Sequence, residues 1–129
     1  MTNFYWKLES ELPVIFETGV GNAIVIKGYG FYLTGATKRV TVRLGEKIQQ
    51  DLTIHEPRHD VFLTHATLDT KGFSQTSGFW GILTIPGMLG GLTLDFVLEA
   101  EHVNGDIFKT VVGSIKIVKK LSLEKVDVD

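Results

Sequence analysis

The segment His55-Glu56-Pro57-Arg58-His59 has the spelling of a zinc-protease helix, His-Glu-x-x-His. His65 follows six residues later, where an extended form of that signature places its third ligand. The chemistry would need both histidines on one helix face around the metal, with the glutamate as general base. Pro57 opposes it. Inside a helix, proline removes a hydrogen bond and clashes with the carbonyl four residues back, at a cost of about 3 kcal/mol or more. It also biases Glu56 away from the helical region. If the segment is extended, His55 and His59 stand roughly 13 Å apart at about 3.3 Å per residue, too far to share one ion. The extended signature also wants glycine where Phe62 stands. The zinc reading therefore fails on the residues themselves.

Other chemistry-bearing groups are sparser. Gly87, Gly90 and Gly91 suggest a phosphate loop, but no Lys-Ser/Thr follows, so a turn is the better reading. Ser74, Ser77, Asp60 and His59 make a triad only on paper, without a nucleophile elbow around either serine. Asp60 and Asp69 would serve as paired carboxylates only at a separation that spacing does not fix. No enzyme and no cofactor is expected.

The elements that must carry these residues have a period of two. Val40, Val42 and Leu44 share one face of 37–44, with Arg39, Thr41 and Arg43 on the other. Leu92, Leu94, Phe96, Leu98 and Ala100 alternate against Thr93, Asp95 and Glu99, and Val111, Ile115 and Ile117 against Ser114 and Lys116. This is the pattern of antiparallel strands with one buried and one wet face. Segments 13–18, 23–33 and 78–85 read as further strands. Gly28 and Gly30 mark a bulge or a close backbone approach in the second, and the third is apolar on both faces, as in a sandwich interior or an interface. Asn104-Gly105 is a strong hairpin signal. Residues 46–52 fit either two helical turns or an edge strand, and other helix evidence is thin. Seven or eight short strands predict an all-β, two-sheet antiparallel sandwich.

The totals agree with one domain. The chain has 129 residues, 43% of them hydrophobic and 22% charged, with a net charge of −2. Its interspersed charges offer no basic stripe for nucleic acid or for an anionic membrane surface. Cysteine is absent, which excludes disulfides and thiolate chemistry and favours a reducing compartment. The N-terminal residues carry Lys7, Glu9 and Glu11 and do not read as a signal peptide, so a cytoplasmic location is expected. The expected division is a sandwich over 1–118 and a charged tail or linker over 119–129.

The strand at 38–45, then Arg58, Asp60 and Val61, then Ser77, Gly78 and Phe79, then a turn at Gly90-Gly91-Leu92, then Gly105 in the last hairpin, form an ordered series. That series resembles the small immunoglobulin-like domains attached to bacterial, often cyanobacterial, glycosyltransferases and related sugar-processing proteins. It spans roughly 22–118, leaving the first twenty residues without a counterpart. The chain departs from the family at His59, where proline is usual, and at Leu44-Gly45, where Asp-Gly is usual. The resemblance implies an immunoglobulin-like sandwich acting as a non-catalytic accessory domain of a larger glycan-synthesis protein. Arg58 and Asp60 would then stabilise a loop corner, Val61 and Phe79 would plug the core, and Gly78 would permit a close turn. The alternative is a carbohydrate-binding module. Trp80 with the Tyr29/Tyr32 pair would form its platform and Trp6 would be a further half-exposed aromatic, because each joins an apolar body to a polar tip. Expected partners are a saccharide or a neighbouring catalytic domain, with homo-oligomers through edge strands.

Overall fold

The computed structural model describes residues 3–18 and 23–119. Nine strands among them form two packed sheets: β1 (Phe4–Leu8), β2 (Ile15–Thr18), β3 (Ala23–Tyr32), β4 (Thr37–Leu44), β5 (Ile48–Asp51), β6 (Thr53–Glu56), β7 (Gly78–Thr84), β8 (Thr93–His102) and β9 (Ile107–Lys119). One sheet has the order β1-β3-β7-β6, the other β2-β9-β8-β4-β5. This is the all-β two-sheet sandwich expected from the alternation, with two more strands than the shortest reading and one departure from antiparallel pairing. The first twenty residues supply β1, antiparallel to β3, and β2, which crosses to the other sheet and runs parallel to β9. Residues 46–52 resolve as the edge strand β5 rather than a helix.

The inner faces interdigitate as the period-two pattern requires. Ile24, Ile26, Phe79 and Leu83 from one sheet meet Val40, Val42, Leu44, Phe96, Leu98, Ala100, Ile115 and Ile117 from the other. Each of the larger side chains contributes about 1.5–3 kcal/mol relative to exposure. Gly28 and Gly30 mark a close approach. A β-carbon on Gly28 would collide with the Lys7 carbonyl, and one on Gly30 with the ring of Phe4. Gly105, at φ 99°, closes the β8–β9 hairpin, and its N–H donates to the His102 carbonyl at 2.8 Å.

A helix stands where the sequence shows little sign of one. After β6 the chain passes Pro57 and forms α1 (His59–His65), followed by a 3-10 turn over Phe73–Thr76. Arg58 serves as the N-cap and Asp60 lies in the first turn, so Pro57 stays outside the helix and breaks none of its hydrogen bonds. The tail beyond Lys119 lies outside the described residues.

Candidate binding face beside Trp80

The face opposite the core on the four-stranded sheet is divided in two. Val25, Lys27, Tyr29 and Phe31 alternate along the outer side of β3, and the register sets Val25 opposite Ile82, Lys27 opposite Trp80 and Tyr29 opposite Gly78. The excursion from Pro57 to Thr76 covers the upper half. The His65 ring meets Phe31 edge-on at 5.3 Å, and Phe31 is buried although it lies on the outer face. The lower half is bare, leaving Val25 60%, Trp80 45% and Ile82 52% exposed.

Arg58 is the boundary post between the two halves. Its guanidinium donates two hydrogen bonds to the Glu9 carboxylate, at 2.6 and 2.9 Å, and two to Asp60, both at 2.9 Å. It also lies 5.4 Å from the Tyr29 ring centroid, in cation–π range. The guanidinium's hydrogen bonds hold Asp60 down to about 2 and Glu9 below the usual carboxylate range, and the two carboxylates together push Arg58 further up. Arg58 thus ties the N-terminal segment to the start of α1 and has little capacity left for a ligand. Gly78 is required beneath it: a β-carbon there would sit 2.8 Å from Glu56 Cβ and 3.1 Å from Arg58 Cγ.

At the foot of this post lies a groove of about 320 Å³ lined by Val25, Lys27, Gly28, Glu56, Arg58, Gly78, Phe79 and Trp80. Trp80 Nε1–H donates to Glu56 Oε1 at 3.3 Å, which fixes the edge of the indole and leaves its body half-exposed. Lys27 binds Ser10 through its backbone, and its ammonium carries no ion pair among the described residues. One flat aromatic surface is therefore flanked by an acceptor carboxylate and a donor ammonium.

The other sequence-derived candidates go elsewhere. Tyr32 is a correction: it is fully buried on the inner face, its ring tilted against Phe4 at 4.9 Å between centroids, with its hydroxyl donating to the Ala100 carbonyl at 2.8 Å. On the inner face it forms no surface platform with Tyr29, and burial pushes its phenol up to about 12. Trp6 is half-buried and packs against the core, away from Trp80. Tyr29 is half-buried under Arg58 and His65. Val61 and Phe79 are buried, and the Ser77 hydroxyl donates to the Ser74 carbonyl at 2.7 Å.

The side chains of the candidate chemical motifs are engaged in local hydrogen bonds. His55 Nε2–H donates to the Thr37 carbonyl and His65 Nδ1–H to the Val61 carbonyl, both at 2.9 Å. Among the described residues no group of three or more His, Asp or Glu could hold a metal. Asp69 accepts the Phe73 and Ser74 N–H groups at 3.2 and 2.6 Å, so it caps the 3-10 turn. Sequence reasoning missed Lys27, Glu56 and Val25 as members of the groove; the alternation placing Val25 and Lys27 on one face of β3 was the available signal.

No known protein family matches the chain, and no curated protein matches it. Among solved structures it is similar to the SrpA adhesin from Streptococcus sanguinis, at 13% identity and a TM-score of 0.53. The match covers 97% of this chain and 61% of that one. This chain therefore corresponds to about three fifths of the adhesin chain, and at this identity the likeness is one of fold.

Proposed function

We propose that this chain is a non-catalytic binding domain that takes a saccharide on the bare half of the four-stranded sheet, with Trp80 as platform. The half-exposed indole beside the groove carries the reading. A pyranose presents an apolar C–H face and a rim of hydroxyls. The indole matches the first, and Glu56 and Lys27 match the second as acceptor and donor. The fold likeness to an adhesin supports a binding role over a catalytic one. An amide NMR titration against a panel of oligosaccharides tests it. Saturable shifts should cluster at Val25, Lys27, Glu56 and Trp80, and Trp80→Ala should weaken binding at least about thirtyfold, about 2 kcal/mol, while the spectrum stays dispersed. Shifts that persist unchanged in Trp80→Ala would remove the platform.

A second reading rests on Val25 and Ile82, which extend the exposed surface with purely apolar groups. An accessory domain of a glycosyltransferase-type protein would seat its catalytic neighbour there. Under that reading the oligosaccharide panel produces no shifts, and a covalently attached neighbouring domain protects these amides from exchange.

A further inference from the structure

β9 is thirteen residues long, but β2 pairs only with Lys116–Lys119 at its far end. Ile107 to Val111 pair with β8 on one side, and on the other no strand adjoins them among the described residues. This stretch is regular. The bulge in β9 falls beyond it, where the register shifts between Phe96 and Val97. Its outward side chains are Ile107, 61% exposed, Lys109, and Val111, 59% exposed. Three other edge strands, β5, β6 and β1, carry devices that discourage pairing. β5 ends in Gln49, Gln50 and Asp51, and β6 has only four residues with a register break, His55 at φ 67° and Pro57 just beyond. β1 is five residues long and carries Lys7.

We propose that the free edge of β9 pairs with the same edge of a second copy of this chain, antiparallel about a two-fold axis at Lys109. The occupant follows from the symmetry of the sequence. Ile107 and Val111 lie two residues either side of Lys109, so this register sets each Ile107 opposite the partner's Val111 and covers the exposed apolar groups twice over. The like charge at the axis is offset within each copy, since Lys109 Nζ lies 3.7 Å from Glu99 Oε1. Thr110 then faces the partner's Phe108. The pairing would continue the five-stranded sheet across both copies and leave the Trp80 groove, on the other sheet, open. Strands this short meeting edge to edge bury under about 1,200 Å², so association is weak and concentration-dependent.

The absence of cysteine makes the test clean. In this register the two residues at position 109 have α-carbons about 4.5–5.5 Å apart, within disulfide range. Lys109→Cys should cross-link rapidly between copies on mild oxidation. Thr110→Cys, whose copies are displaced by two positions to about 8 Å, should not. Sedimentation should show a monomer–dimer equilibrium that Val111→Lys weakens at least about tenfold, because it adds a charge beside the partner's Lys109 and opposite an isoleucine. Lys109 and Val111 are exposed, so neither substitution threatens the fold. A monomer at every concentration reached overturns the proposal, as does a dimer indifferent to Val111→Lys or one that cross-links at 110 in place of 109.

Discussion

Replacing Gly30 by alanine tests how the first strand is held. The Phe4 ring lies over Gly30 and packs 4.9 Å from the Tyr32 ring and 5.7 Å from Phe108. A new methyl would overlap Phe4 Cζ and Cε2 and sit 3.0 Å from Cε1, so the ring must leave or β1 must move away from β3. Expelling a buried phenylalanine costs about 3–5 kcal/mol. Alanine recovers about 0.5–1 kcal/mol of backbone entropy relative to glycine in a strand. The net loss is then about 2–4 kcal/mol, a large share of the roughly 5–15 kcal/mol that holds a domain together. Urea unfolding of the wild type, Gly30→Ala, Phe4→Ala and the double variant measures it. With the ring removed, the methyl enters vacated space, so the double variant should be no less stable than Phe4→Ala alone. The two single losses would then fail to add by about 2 kcal/mol or more. A Gly30→Ala loss below about 0.5 kcal/mol, or strict additivity, would refute this account of the β1–β3 contact.

Tyr32→Phe should cost about 1 kcal/mol by leaving the Ala100 carbonyl without its buried donor. The core holds the phenol protonated, so its stabilisation is complete below pH 10 and lost as pH rises through about 12; denaturation midpoints of the wild type, but not of Tyr32→Phe, should carry that alkaline loss. Arg58→Ala should loosen the excursion at Pro57–Thr76, seen as faster amide exchange across α1. Asp60 and Glu9 contribute stability as carboxylates, present above their ordinary range near pH 4 and lost as pH falls towards about 2. The acid limb of the wild type should therefore flatten in Arg58→Ala, and an unchanged limb would show that the pairing is not what holds these carboxylates ionised.

The sandwich was legible because strands with one wet face write themselves as alternation. Val40, Val42 and Leu44, and Phe96, Leu98 and Ala100, are buried in the positions the period assigns. The Asn104-Gly105 turn needed only its positive φ. The short helix was not legible. Seven residues supply no run of helical period, and only Val61 is buried among them. β1 was missed for a related reason, since five residues with a charge inside them give too few repeats to show a period.

The exposure of the aromatics depends on that missed helix, which is why side-chain type alone misplaced them. Phe31 and Trp80 occupy the same outer face of the four-stranded sheet by strand parity, yet Phe31 is buried and Trp80 is not. Parity separates the inner face from the outer one, placing Tyr32 inside, but it does not say which part of the outer face another segment will cover. Here the covering segment begins at Pro57, crosses close over Gly78 and is pinned by Arg58 to Glu9 and Asp60. Trp80 is two residues beyond Gly78, one step further along the same face. The groove therefore lies where the cover stops. Its position is set by contacts that no local pattern records: a glycine that admits the crossing chain, and an arginine whose partners lie on either side of it, one of them at the far end of the sequence in residue 9.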